Sequence, residues 1–160
     1  MAKMEELDPK LRTFIEMYAW RRNDPVPWAA PRKPLRDSRV GLVVTPCQTM
    51  PDQPPFQPVE PDFDASIRIV PSDVRPQTMV NTYPQQAFDH TGLMEDANVL
   101  IPLDRLREMT SSGEIGGVTP RTVSLCGHLP HPQRLIDETA PEIARIFAED
   151  GADAVLLVPA

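Results

Sequence analysis

Apolar residues of this chain follow two patterns. One is a helical stripe, and the other is a set of short unbroken runs of strand length. Leu11, Phe14, Ile15, Tyr18 and Ala19 stand at i, i+3, i+4, i+7 and i+8, which predicts an amphipathic helix within residues 8–22. Trp20 and Trp28 flank its end, and such a helix covers a domain edge or packs on a second copy. Prolines 25, 27, 31 and 34 then forbid regular pairing and predict an extended tether carrying Arg32, Lys33 and Arg36. The run Arg39-Val-Gly-Leu-Val-Val-Thr45 is apolar without alternation, as in a strand buried on both faces.

Further along, residues 62–70 alternate around Ile67 and Ile69 and predict a short strand before Pro71. Residues 79–96 have no clear period and read as an irregular loop, with Asn81, Tyr83, Asp89 and His90 in it. A short strand is expected at 98–102. A short helix follows at 103–110, with Leu103, Leu106 and Met109 facing inward. Gly113, Gly116 and Gly117 mark turns, and 122–126 is a second compact apolar run. Residues 132–149 predict a helix burying Leu135, Ile136, Ile143, Ile146 and Phe147, with Gly151 as its C-cap. Pro141 kinks that helix or starts a second one. Residues 154–158 form a last buried strand.

Helices alternating with buried strands argue for an α/β fold with a mostly parallel, Rossmann-like sheet and a proline-rich, loop-rich N-terminal half. The expected division is residues 1–37, helix and tether, and residues 38–160, an α/β domain incomplete at its C-terminus.

Composition narrows the partners. With 160 residues the chain supports one core. Its 20 prolines, concentrated in residues 25–84, reinforce the loop-rich reading of that half. A formal net charge of −7 disfavours nucleic acid and an anionic membrane surface, both of which require a basic face. No secretory leader and no membrane-spanning run stand in the sequence, so a cytoplasmic location is expected, and with it Cys47 and Cys126 as free thiols. They are the two cysteines of the chain, and pairing between them is the alternative. No Gly-x-Gly-x-x-Gly or Walker loop is present, so nothing supports nucleotide binding.

The first candidate site is the loop after the 39–45 strand, because α/β proteins bind ligands at the carboxyl ends of sheet strands. There Cys47 is a nucleophile or redox group if its thiol pKa is lowered, and otherwise a small apolar filler. Thr45, Gln48 and Thr49 would orient a small polar ligand beside it. Cys126, His128 and His131 lie within six residues but lack two separated ligand pairs, and prolines bracket His131, so no metal site is expected. Asp89 and His90 are adjacent. On a strand they would point to opposite faces, in a loop either could face a ligand and move a proton, and a surface turn is the simpler reading. Asp104 and Arg105 read as helix-dipole complement and solvated surface. No cofactor is evident from the residues.

Several ordered segments carry a likeness: Asn98-Val-Leu-Ile-Pro-Leu-Asp-Arg-Leu-Arg107, Gly113-Glu-Ile-Gly116, Glu138-Thr-Ala-Pro-Glu-Ile-Ala-Arg145 and Asp150-Gly-Ala-Asp-Ala-Val-Leu-Leu-Val-Pro159, with Gln53-Pro-Pro-Phe56 and Pro71-Ser-Asp73. From about Arg39 onward the chain resembles the selenoprotein B family of glycine, sarcosine, betaine and D-proline reductases. The resemblance implies a cytoplasmic reductase in which a cysteine or selenocysteine, followed by a second cysteine, lies just beyond the segment matching Leu156-Leu-Val-Pro-Ala160. A UGA codon taken as a stop would place the chain end there. It further implies a small amino-acid-like or amine substrate, and a homo-oligomer or a reductase partner subunit. One departure stands in the first loop, where similar chains carry a glycine and a histidine around Cys47 and Thr49.

Thr45, Cys47, Gln48 and Thr49 are thus expected to line the pocket, with Asp89 or His90 moving a proton. A non-catalytic assembly module working through residues 8–28 is the alternative, followed by a cysteine-based racemase or lyase.

Overall fold

The computed structural model describes residues 3–18, 23–57, 64–82 and 91–159. The chain divides into two compact units, Met1–Ala30 and Pro31–Ala160. In the first, helix α1 spans Pro9–Met17. Asp8 caps it, its carboxylate accepting from the Lys10 and Leu11 amides at 2.9 and 3.4 Å, and Pro9 supplies the preset φ of a first helical position. The expected helix is therefore present but shorter, and Ala19, Trp20, Arg21 and Arg22 lie outside the described residues. Its apolar stripe is not buried, although the Phe14 and Tyr18 rings meet in a tilted contact with centroids 5.5 Å apart.

The second unit is built on a four-stranded sheet. Strand β1 is Arg39–Val44 and the two-residue β2 is Gln48–Thr49. Then come β3, Arg68–Pro71, and β4, Val80–Asn81. Helices α2, Thr91–Glu95, and α3, Leu103–Ser111, precede β5, Gly117–Ser124. A π-type turn at Leu135–Thr139 leads into α4, Ala140–Glu149, and β6 is Ala154–Val158. The sheet order is β3-β5-β1-β6, with β5, β1 and β6 parallel and β3 antiparallel to β5, while β2 and β4 form a separate antiparallel pair. The α/β reading with a mostly parallel sheet holds.

Alternate residues of β1 serve the two layers. Val40, Leu42 and Val44 pack with Leu103 and Leu106 of α3, whereas Val43 packs with Val123 and with Ile146 and Phe147 of α4. The period-2 alternation therefore needs a helix on each face, which is why the run carries no polar position.

Four expectations are corrected. Residues 98–102 are not a strand: Ala97–Val99 is a 3-10 turn, because Asn98 accepts the Asp104 amide at 3.0 Å and donates to Asp96 and Asp104, curling the backbone onto the head of α3. The run at 122–126 begins earlier, at Gly117. Pro120 falls where the β1 register slips between Val40 and Leu42, so a bulge absorbs the missing donor. Ile136 is 37% exposed, since the wider π-type turn rotates it off the apolar face before Pro141 starts α4. Finally β6 is not buried, because it is the sheet edge and Leu157 is 67% exposed.

Three polar ties hold the frame. Arg121 grips Asp150 with Nε and Nη2 and donates to the Ile146 carbonyl at 3.0 Å, closing the end of α4, where Gly151 takes φ 68° as the expected cap. Asp153 accepts the Arg39 amide at 2.8 Å and pairs with Lys33 at 2.7 Å, fixing the starts of β1 and β6 together. Arg107 bonds Asp104 at 2.5 Å and the Ser72 and Val74 carbonyls at 2.7 and 2.5 Å, so α3 carries the turn after β3.

The Asp104 carboxyl is held below its ordinary pKa, first by the Asn98 side chain, which opposes the cost of burial, and then by Gln77 and Arg107. A depressed folded pKa stabilises above the unfolded value near ~4 and stops doing so as pH falls through the folded pKa. Urea unfolding of the parent chain and Asp104→Asn is therefore expected to show a constant stability gap above pH ~4 that narrows below it. A gap independent of pH would rule this linkage out.

Candidate functional site

β1 and β5 are adjacent and parallel, so the loops that follow them leave the same end of the sheet. The helix between them in sequence, α3, lies on one face, and α4, which follows β5, lies on the other. Connections departing to opposite faces open a crevice at the strand ends, the place where open α/β sheets bind ligands. The end of β6 joins them there: the Thr45 amide donates to the Val158 carbonyl at 3.1 Å, and the Gly127 amide to the Thr45 carbonyl at 2.9 Å.

At this crevice Cys47 and Cys126 form a disulfide, with their Cα atoms 4.5 Å apart across 79 positions of sequence. The expectation of free thiols is thereby corrected. Topology is the cause: the pairing of β1 with β5 continues into a bridge between Pro46 and Cys126, and the Cys47 amide donates to the Leu125 carbonyl at 3.1 Å. That Cα separation lies within the range a disulfide spans. In the disulfide neither residue holds a thiolate, so thiol chemistry at Cys47 requires reduction first. Both cysteines are fully buried and cluster with Phe56.

Cys47 takes φ 52°, a left-handed conformation that glycine adopts without steric cost. Thr82 secures the bend, its amide and hydroxyl both donating to the Cys47 carbonyl, at 3.2 and 2.7 Å.

The other expected pocket residues divide by burial. Thr45 is half-buried, whereas Gln48 and Thr49 are 2% and 1% exposed and belong to β2, paired with Asn81 and Val80. Asp89 and His90 lie outside the described residues. Cys126 is separated from any thiolate–imidazole set by its disulfide, and among the described residues no three His, Cys, Asp or Glu side chains converge. Arg105 is a surface residue, pairing with Glu108 at 2.9 Å.

Sequence reasoning missed a polar wall beside the disulfide. Arg68 lies 4.2 Å from the centre of the Phe56 ring and donates to the Pro54 and Pro55 carbonyls at 2.9 and 3.3 Å. Gln53 ties the same loop to β3, donating to the Ile69 carbonyl at 2.8 Å. Asp64 accepts from the Gln57 and Ser66 amides and the Ser66 hydroxyl. Desolvation raises its pKa, but these bonds and Arg68 outweigh it, and the carboxyl ends below its ordinary value. Within the matched Gln53-Pro-Pro-Phe56 the signal was present as a motif, though nothing in the sequence paired it with Arg68.

Ser124, at the carboxyl end of β5, is also new. Its Oγ is fully buried and has no hydrogen-bond partner within the protein, among the described residues the one side-chain oxygen or nitrogen in that condition. A buried hydroxyl at a strand end is matched by a water or a ligand polar atom.

Comparison with known proteins identifies the family. A model of the glycine/sarcosine/betaine reductase selenoprotein B family matches residues 65–160. The chain is similar to D-proline reductase subunit gamma of Acetoanaerobium sticklandii, 31% identical over 133 residues, which is 83% of this chain and 53% of that protein. It thus spans about half the length of that relative. No solved structure matches. The matched residues include β3, α3, β5, α4 and β6, and the chain belongs to the glycine/sarcosine/betaine reductase selenoprotein B family.

Proposed function

We propose that this chain is part of a reductase subunit acting on a small amino-acid-like or amine substrate through a thiolate or selenolate located directly after β6. The observation that carries the reading is the bond from the Thr45 amide to the Val158 carbonyl, because a residue leaving β6 at that point enters the crevice between the β1 and β5 loops. In the reaction the thiolate or selenolate attacks the substrate carbon as its C–N bond breaks and the nitrogen leaves with a proton; a second thiol then attacks the bound sulfur or selenium, the carbon leaves with the electron pair and takes a proton, and an S–S or Se–S bond remains. A thiol donor then reduces that bond and is itself oxidised to a disulfide. Thr45 and the Ser124 hydroxyl orient the substrate, Cys47 lines the crevice, and Asp89 or His90 supplies the proton. Family membership and the likeness to a named reductase subunit support the reaction class.

The test compares the 160-residue chain with the product of the reading frame continued past codon 160, any UGA there being read as selenocysteine or replaced by a cysteine codon. Dithiol-dependent reduction of D-proline and of N-methylated glycines is measured. Activity is expected in the longer product and absent from the 160-residue chain. Activity in the short chain that depends on Cys47, or the absence of any such reading frame, would overturn the proposal.

A second reading, an assembly module, draws on the first unit alone. There Phe14, Met17 and Trp28 are exposed, at 58%, 79% and 81%. Large apolar side chains at such exposure suit a partner surface. Removing residues 1–28 abolishes a complex if this reading holds, and leaves the reductase test unchanged if it does not.

A further inference from the structure

β6 is built like an interior strand and sits at an edge. Its sequence Ala154-Val-Leu-Leu-Val158 is apolar at every position, which parallel sheets reserve for strands covered on both faces. Yet Val155, Leu156 and Leu157 are 43%, 39% and 67% exposed. The parallel register aligns Val40, Leu42 and Val44 with Ala154, Leu156 and Val158, and Gly41 and Val43 with Val155 and Leu157. Neighbouring residues in register share a face, so apolar surface is open on both sides of β6, along with one row of its backbone donors and acceptors.

Neither α3 nor α4 covers it. α3 is engaged through Leu103 and Leu106 over Val40, Leu42 and Val44, and α4 through Ile146 and Phe147 over Val43 and Val123. A second copy joined edge to edge would add a strand but no helix, because its own α3 and α4 lie over its own β1 and β5. Both faces of β6 would stay open. What fits is a strand that brings its own helical cover, and a parallel strand is joined to its helix in that way.

We propose that β6 is an inner strand of a larger sheet, paired on its free edge by a parallel strand with flanking helices, and that this segment is the portion of the reductase subunit that the relative has and this chain does not span. The identity of the segment rests on the reductase reading above, whereas the open strand does not. The relative's length supports it, since about half of that polypeptide lies outside the shared stretch. The crevice at Thr45 and Cys47 then acquires its remaining wall from the same segment.

Hydrogen–deuterium exchange tests this on the 160-residue chain and on the product continued past codon 160. The β6 amides are expected to exchange roughly tenfold or more slowly in the longer product. Leu157→Asp should leave the melting temperature of the 160-residue chain within about 2 °C, and lower that of the longer product by several degrees, because it there buries an unpaired charge. Equal exchange in the two products overturns the proposal. So does a 160-residue chain that light scattering shows to be a dimer and that Leu157→Asp dissociates, since a second copy would then hold the edge. Protection of β6 without substrate reduction keeps the interface and removes the reductase reading, and reduction without protection does the reverse.

Discussion

Replacing both Cys47 and Cys126 with alanine is expected to destabilise the oxidised chain by about 4 kcal/mol. The cross-link joins positions 79 apart, and closing a loop of that length in the unfolded chain removes conformational entropy worth roughly 4 kcal/mol. Alanine suits the test because both sites are fully buried beside Phe56, where a serine hydroxyl would bring its own desolvation cost. The unfolding temperature should fall by roughly 10–15 °C for a unit of this size. Parent chain treated with dithiothreitol should unfold much like the variant. A variant as stable as the untreated parent, together with two titratable thiols in the denatured parent, would show that the link does not form in solution.

The same experiment bears on function. If the crevice works only with its first loop held to the β5 loop, the longer product loses turnover when the pair is reduced. If the cysteines serve as thiols, it loses turnover when they are oxidised. The two states place the loop differently, because Cys47 holds a left-handed φ of 52° that the disulfide and Thr82 help to maintain.

Gly116→Ala should cost about 3 kcal/mol, more than Gly113→Ala three residues earlier. At position 116 an added Cβ would stand 2.7 Å from the Asp37 carbonyl carbon, 2.9 Å from the Ser38 nitrogen and 3.0 Å from the Ser38 oxygen. Those are backbone atoms and cannot rotate away. The Gly116 amide also donates to the Ser38 carbonyl at 2.9 Å, and separating the chains enough to admit the methyl group weakens that bond at a buried residue. Overpacking of about 1–3 kcal/mol combines with loss of about 1 kcal/mol from the bond. Gly113, by contrast, has open space around its Cβ position and φ 77°, so alanine there meets only the left-handed penalty of about 1 kcal/mol. Urea denaturation of the two variants checks the order. Equal losses would mean the Asp37–Ser38 segment yields.

That pair of glycines marks how far the sequence was legible. Both read as turn residues, and Gly113 is one, but Gly116 is required by a segment nearly 80 positions away. The runs at β1, α3, α4 and β6 were readable because each element's periodicity is written in consecutive residues. β5 was found in its second half alone, since Pro120 breaks the local pattern and only pairing with β1 at Gly117 and Val118 shows that the strand starts before it. The 98–102 segment was misread for a related reason: its apolar residues suit a strand, while Asn98 meets Asp96 and Asp104 through bonds that a propensity reading does not weigh.

At the candidate site, the loop after β1 was identified from its position at a strand end. Its chemistry was not, because whether Cys47 is a thiol depends on Cys126, and neither residue's local surroundings report the other. Strand type, helix faces, caps and the family likeness follow from short-range order, so the sequence alone determined them. Strand order, the Cys47–Cys126 link, the Arg68–Phe56 contact and the open edge at β6 depend on which distant segments become neighbours. Those were settled by tertiary pairing, where burial and backbone hydrogen bonding choose among arrangements that local preference leaves equal.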